Sequence, residues 1–171
     1  MLNERIEKAL NDQVQKEGFS SNLYLAMASW AEVHDLDGAA QFLYAHSDEE
    51  RQHMLKLIRY INERGGHAMT PQLNQPPVNF DSLQKVFESL LEHEIQVTAS
   101  INDIVGLCLE VKDYSTHNFM QWYVSEQIEE EALARTILGK LDMIGNDKGG
   151  LYLFDRDLEK LSVMGDPNAT Q

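Results

Sequence analysis

Four long stretches of this chain repeat their apolar residues with the period of an α-helix. Gly and Pro, which break helices, number only 10 and 4 in 171 residues and cluster in a few places. Four amphipathic helices of such length bury their apolar faces by packing together, so the sequence predicts an all-α four-helix bundle. Asp37 is the expected N-cap of the second helix. The periodicity places the helices at about residues 3–33, 38–64, 82–111 and 114–145.

The links between these helices indicate how they are connected. Two are short, at about residues 34–37 and 112–113, and short links join antiparallel neighbours. The middle link runs over about residues 65–80 and is rich in Gly and Pro. A helix of about 28 residues is about 42 Å long, a distance that about 13 extended residues cover. The middle link is therefore long enough to run back along the bundle, which makes the second and third helices parallel; the alternative is a surface loop without that role.

A shorter apolar pattern follows Gly145 and the flexible sequence NDKGG. Apolar residues at Leu151, Phe154, Leu158 and Leu161 predict a short fifth helix over about residues 151–161. A helix of this size cannot bury an apolar face alone, so we expect it to pack against neighbouring subunits. We expect residues 1–171 to form one domain.

One glutamate interrupts the apolar face near the middle of each long helix: Glu17, Glu50, Glu94 and Glu130. Mid-helix positions meet at one level of a bundle whichever way each helix runs, so the four carboxylates are expected to converge in the core. A buried, unpaired carboxylate costs several kcal/mol, and no Lys or Arg lies on these faces. Two divalent cations would balance four carboxylate charges, so the sequence predicts a buried site for two metal ions.

His53 supports this prediction because it lies three residues after Glu50 on the same helical face. A carboxylate and an imidazole in this spacing can bind one ion, and such mixed ligands suit iron or manganese better than structural zinc. A lone Glu on such a face is more often exposed to solvent, and a lone core His is usually only hydrogen-bonded. The coincidence of four glutamates at one depth favours the metal site. We expect His46 to be a buried polar residue without a metal role.

Charge and cysteine content exclude several other classes of function. The formal net charge of −14 disfavours nucleic acid and anionic membrane surfaces as partners, and suits a cationic one. Cys108, the single cysteine, excludes an intrachain disulfide and cysteine-based zinc or iron–sulfur sites, and its place on an apolar face predicts a core residue. The first residues lack the apolar run of a signal peptide, and no stretch approaches the roughly 20 apolar residues of a membrane span, so we expect a cytoplasmic protein.

The chain resembles the bacterial non-haem ferritins over nearly its whole length. The matching features are Glu17 with Tyr24, S-D-E-E-R-Q-H at residues 47–53, Glu94, and S-E-Q-I-E-E-E at residues 125–131. The resemblance implies a ferritin-like four-helix bundle with one long crossover and a short fifth helix. It also implies a cage of 24 identical subunits that encloses a ferric mineral, with a ferroxidase centre inside each subunit.

The resemblance further implies a set of iron ligands. Glu17, Glu50 and His53 would hold one iron, and Glu50 would bridge to a second iron held by Glu94 and Glu130. Such a protein oxidises Fe(II) with O2, or with H2O2, and stores the Fe(III) product. Two alternatives remain open: a non-catalytic metal-binding shell, and a di-iron oxygenase acting on an organic substrate in an apolar cavity beside the metals.

Further roles follow from the same resemblance. Gln127 would lie beside the two irons, and Tyr24 would hydrogen-bond near them and supply an electron; the alternative for Tyr24 is a core tyrosine. Glu49, Glu126 and Glu129 would form a third iron site on the inner side of the bundle, which shares Glu130 with the di-iron centre. The alternative there is a solvated acidic face, as runs of Glu on helices commonly are.

Two positions argue against haem. Bacterioferritins bind haem through a Met directly after the bridging Glu, and a His on the fourth helix is among their iron ligands. Here those positions hold Arg51 and Glu130. We therefore expect no haem bound in that manner.

Overall fold

The computed structural model describes residues 2–164, with side chains through residue 160, and every regular element in that range is an α-helix. The predicted bundle and the predicted fifth helix are confirmed, and the fifth helix begins earlier and ends later than expected. The side chain of Leu161 falls outside the described residues. Among residues 2–164, no helix is both long and apolar enough to cross a membrane. The helices are α1 (Glu4–Glu32), α2 (Asp37–Glu63), α3 (Leu83–Val111), α4 (Tyr114–Ile144) and α5 (Lys148–Met164).

The segment between α2 and α3 runs along α1, as its length predicted. Near the start of α1, the side-chain amide of Asn11 donates to the carbonyl of His67 at 3.1 Å and accepts from the amide of Met69 at 2.8 Å. Near the end of α1, the rings of Trp30 and Phe80 meet edge to face with centroids 5.9 Å apart. The segment therefore travels the length of the bundle, and α2 and α3 run in the same direction.

The core is divided into two apolar clusters, one toward each end of the bundle. The first combines the second half of α1 with the first halves of α2 and α3, and includes Met27, Leu43 and Phe87. The second combines the first half of α1 with the second half of α2, and includes Leu10 and Leu57. Buried polar residues of α1 to α4 lie between the clusters: Gln13, Glu17, Glu50, His53, Glu94, Gln127 and Glu130.

Cys108 lies in the second cluster and is fully buried. Burial raises the pKa of its thiol to about 11, so the thiol stays protonated at neutral pH. A protonated, buried thiol behaves as a small apolar side chain, as the sequence predicted.

The start of α2 differs from the prediction. Its N-cap is Leu36, Asp37 is the first helical residue, and no side chain of α2 caps the helix. Asp155 of α5 takes that role, because its carboxylate accepts hydrogen bonds from the amides of Gly38 and Ala39 at 3.1 and 2.8 Å. A residue remote in sequence thus satisfies two of the free N–H groups at the start of α2.

The expectation that α5 buries its apolar face against neighbouring subunits was wrong for two residues. Phe154 and Leu158 are 7% and 1% exposed within the single chain and belong to the first apolar cluster. The first half of α2 supplies the surface on which they pack, which the sequence pattern of α5 alone does not reveal. Tyr152 and Leu153 remain exposed on α5.

Candidate metal centre

Four glutamates from four helices meet in the polar layer between the apolar clusters. Glu17, Glu50, Glu94 and Glu130 are 1%, 3%, 1% and 6% exposed. Glu17, Glu50 and His53 form a group whose ligand atoms all lie within 4.8 Å of one another. The Nδ1 atom of His53 is 3.6 Å from Glu50 Oε2 and 4.0 Å from Glu17 Oε2. These separations allow one cation to contact all three side chains after small rotations.

Glu94 is held by hydrogen bonds to both of its carboxylate oxygens. The hydroxyl of Tyr24 donates to Oε1, and the side-chain amide of Gln127 donates to Oε2 at 2.8 Å. Both donors are buried. The structure therefore places Tyr24 and Gln127 directly against a carboxylate of the layer.

A second chain of hydrogen bonds orients Glu17. Its other two residues, Gln13 and Ser100, were given no role from the sequence. The amide of Gln13 donates to Glu17 Oε1 at 2.7 Å, and Ser100 Oγ donates to Gln13 Oε1 at 2.7 Å. Gln13 stands four residues before Glu17 on the apolar face of α1, and a polar residue at that position was the available signal. Nothing in the spacing of α3 marks Ser100, because its partner lies on another helix.

Burial is the main reason that these carboxyl groups hold protons. It raises the pKa of Glu50 to about 8, that of Glu94 to about 7 and that of Glu130 to about 9, and it raises the pKa of Glu17 well above its usual value. Neighbouring carboxylates add to the rise, as Glu50 does for Glu17. Near neutral pH the layer therefore carries protons that an incoming cation can displace.

The residues predicted for a third site are only partly brought together. Glu49, His53 and Glu126 form a group whose ligand atoms lie within 4.8 Å of one another, at the edge of the layer between α2 and α4. Glu49 and Glu126 are half-buried. Glu129 is exposed and belongs to neither of the groups that Glu49 makes. We call Glu49, His53 and Glu126 the outer group.

His46 lies closer to this chemistry than the sequence interpretation allowed. With Glu49 and Glu130 it forms another group within 4.8 Å, and its Nε2 is 3.7 Å from Glu130 Oε2. Its Nδ1–H donates to the carbonyl of Phe42 at 3.1 Å, which leaves the lone pair of Nε2 directed toward the carboxylates. The signal was present in the sequence, because His46 precedes Glu49 by three and Glu50 by four residues on one helix.

The donor set determines what the layer can bind. Carboxylate oxygens and one or two imidazole nitrogens suit divalent metal ions of the first transition row, and the absence of thiolate among the described donors fits iron or manganese better than a structural zinc site. Two ions would remove the repulsion among four buried carboxylates. The arrangement can thus hold divalent cations in a site shielded from water.

Comparison with known proteins agrees with this geometry. The ferritin-like domain family matches residues 7–144. The bacterial non-heme ferritin of Campylobacter jejuni is 49% identical over 163 residues, which cover 95% of this chain and 98% of that protein. The bacterial non-heme ferritin of Escherichia coli O157:H7 is 40% identical over 160 residues, covering 94% and 96%.

Solved structures give the same result. The open pore ferritin from the archaeon Archaeoglobus fulgidus has a TM-score of 0.91 and 39% sequence identity to this chain, covering 93% of this chain and 98% of that one. Both sequence and fold therefore match over nearly the full length, and this chain belongs to the ferritin family, among the bacterial non-haem ferritins.

Proposed function

We propose that this protein oxidises Fe(II) with O2 at the buried glutamate layer and stores the Fe(III) product as a mineral inside a hollow cage. The observation that carries the proposal is the meeting of four buried carboxylates and one imidazole in a chain of this family. Iron is the substrate and the stored cargo.

Glu17, Glu50 and His53 hold the first iron, because their ligand atoms already lie within 4.8 Å of one another. Glu50 bridges to the second iron, which Glu94 and Glu130 also hold. The electrostatic coupling of Glu130 to both Glu50 and Glu94 supports a second ion between these three carboxylates.

The reaction uses two irons because O2 accepts two electrons in the step that avoids a free radical. Each Fe(II) gives one electron, and O2 takes both electrons and two protons to leave as H2O2. The protein contributes geometry and charge: four carboxylates favour the higher charge of Fe(III) over Fe(II). The protons that the carboxyl groups lose when iron binds become available in the same layer.

Tyr24 and Gln127 act through Glu94. Their hydrogen bonds fix both oxygens of that carboxylate and so orient it toward the second iron. In turnovers in which the phenol of Tyr24 takes part, it gives a third electron and its proton, a further Fe(II) ion gives the fourth electron, and protons from the layer complete the reduction of O2 to water instead of H2O2. Two further groups adjoin the layer, His46 with Glu49 and Glu130 and the outer group. We propose that they provide ligands for iron that leaves the layer.

A cage of identical subunits, about 24 by family resemblance, is supported by the apolar side chains that the single chain leaves exposed. Val33, Ile128 and Tyr152 are 75%, 68% and 70% exposed, and each lies on a different helix or helix end. We expect Tyr152→Ser with Leu153→Asp to weaken the contacts made by α5 while leaving Phe154 and Leu158 in place. Size-exclusion chromatography with light scattering checks this, and an unchanged particle mass and thermal stability would exclude α5 from the interface.

The space beside Glu130 does not favour an oxygenase. The gap beside Glu130, lined by Phe42, Phe87, Leu90 and Ile137, is too narrow to admit a water molecule, so it leaves no room there for an organic substrate. A cavity of about 570 Å³ lies elsewhere, between α1, α3 and the crossover, and none of the five proposed iron ligands lines it.

Replacement of Glu94 by Ala tests the proposed function. We expect the fast phase of Fe(II) oxidation, followed by stopped-flow absorbance and O2 consumption, to slow by about 100-fold or more because the second iron loses a ligand. Glu92→Ala is the matched control, since Glu92 is an exposed glutamate one half-turn earlier on α3. Wild-type rates in a folded, assembled Glu94→Ala protein would refute the assignment.

A further inference from the structure

Lys56 stands beside the outer group on the same face of α2. Glu49, His53 and Lys56 follow one another at spacings of four and three residues, which align them along one side of the helix. The ammonium nitrogen of Lys56 lies over the ring of Trp122 on α4, 3.1 Å from its centroid. The Trp122 ring in turn meets the His53 ring edge to face at 5.1 Å. A fixed positive charge therefore adjoins a proposed iron ligand.

This charge is held by an aromatic ring instead of by a carboxylate. Within residues 2–160, Lys56 makes no ion pair shorter than 4.0 Å. Burial lowers the pKa of Lys56, and the nearby charge of Glu126 raises it. A salt bridge would occupy the carboxylate oxygens of the outer group, whereas the cation–π contact leaves those oxygens free for a metal ion.

We propose that Lys56 lowers the affinity of the outer group for divalent cations. The outer group then acts as a weak transfer site between the buried glutamate layer and the edge of the bundle. The proposal rests on the function proposed above. A cation bound by Glu49, His53 and Glu126 is repelled by the ammonium, so it is held less tightly than the acidic ligands alone would hold it. Because the lysine sits on Trp122, the repulsion persists whether or not the group is occupied.

Weak binding is useful at this position. His53 belongs both to the outer group and to the group with Glu17 and Glu50. An ion held tightly by Glu49 and Glu126, beside His53, would stay next to the layer and block movement of iron out of it. Repulsion from Lys56 shortens the residence of such an ion without removing any ligand.

The test compares Lys56→Met, which removes the charge and keeps the apolar stem, with Lys56→Arg, which keeps the charge. Anaerobic calorimetric titration of the assembled protein with Fe(II) gives the affinity of each ion bound per subunit. We expect the third ion to bind about tenfold more tightly in Lys56→Met, with the first two unchanged, and the gain to shrink as salt is added. Lys56→Gln serves in the same way if the Met variant does not assemble.

Lys85→Met is the matched control for the loss of one positive charge per subunit. Lys85 is exposed, pairs with Glu88 and lies in the first turn of α3. We expect both Lys85→Met and Lys56→Arg to bind the third ion as the wild type does. Crystals of Lys56→Met soaked in Fe(II) should show the added occupancy at Glu49, His53 and Glu126.

Several results would overturn the proposal: an unchanged or weaker third ion in Lys56→Met, an equal gain in Lys85→Met or Lys56→Arg, or a wild type that binds only two ions. Each of these leaves the proposed function intact, provided that the first two ions bind and are oxidised. Failure of the wild type to bind or oxidise those two ions would instead refute the proposed function.

Discussion

Substitution of Glu130 measures how much free energy of unfolding the metal-free protein loses by burying the glutamate layer. Its side chain is almost fully buried, and Nε2 of His46 lies 3.7 Å from its Oε2 atom, which is beyond hydrogen-bond distance. Burial, with added repulsion from Glu50 and Glu94, raises the pKa of Glu130 to about 9. Glu130→Gln keeps the size and shape of the side chain and removes only its titration.

The sign of the pH effect follows from the raised pKa. The folded protein binds this proton more tightly than the unfolded chain, whose pKa is near the ordinary value of 4.5. The stability that the protonated group contributes is fully present below about pH 4.5 and is lost as the pH rises toward about 9. At pH 7 the loss is up to about 3 kcal/mol, from about 1.4 kcal/mol for each unit above 4.5, and coupling to Glu50 and Glu94 reduces it.

We therefore expect Glu130→Gln to match the wild type near pH 4.5 and to exceed its stability by up to about 3 kcal/mol at pH 7. The measurement is guanidinium unfolding of chelator-treated protein at several pH values and one fixed subunit concentration. Glu129→Gln, an exposed neighbour on α4, is the control and should show little pH-dependent difference. A Glu130→Gln advantage that stays constant across this pH range would refute the reasoning.

Three other outcomes follow from the same structure. Anaerobic binding of two Fe(II) ions should release protons and should tighten as the pH rises from about 6 to about 9, because protons on the buried carboxyl groups compete with iron at lower pH. A pH-stat titration measures the proton release, and binding without proton release near pH 7 would contradict this prediction. Tyr24→Phe should slow oxidation about two- to tenfold and abolish any tyrosyl signal in electron paramagnetic resonance, since Glu94 loses a donor; an unchanged rate and signal would count against that role. Asp155→Ala should lower the free energy of unfolding by about 1–2 kcal/mol, because two N–H groups of α2 lose their acceptor. Asp157→Ala, on the solvent side of α5, is the control. Equal losses in both variants would show that the cap contributes nothing.

The sequence predicted the helices and their connections well because those depend on local pattern. Apolar periodicity fixed four helix positions, and the length of the middle link determined the crossover. Mid-helix placement was enough to bring Glu17, Glu50, Glu94 and Glu130 to one level, since helix midpoints coincide in a bundle whatever the packing details.

Contacts between helices were not predictable in the same way. The chain from Ser100 through Gln13 to Glu17 and the cap that Asp155 provides to α2 join residues far apart in sequence. Their formation depends on rotation of each helix about its axis and on side-chain rotamers, which periodicity does not resolve. His46 was underestimated for a different reason. Its spacing from Glu49 and Glu50 was present in the sequence, but the hydrogen bond to Phe42 that leaves Nε2 free was not.

The contact between Gly38 and Asp155 bears on the curvature of any shell that these subunits build. A Cβ atom at position 38 would lie 1.8 Å from the backbone oxygen of Asp155. The backbones of α2 and α5 are therefore in direct contact, and no side-chain rotation can make room for a larger residue. Side-chain contacts tolerate substitution by changing rotamer, but a backbone contact of this kind has one geometry. The angle between α5 and α2 therefore depends on the lack of a side chain at Gly38. We expect Gly38→Ala to leave the bundle folded and to change the angle at which subunits meet through α5, which electron microscopy would show as particles of altered diameter.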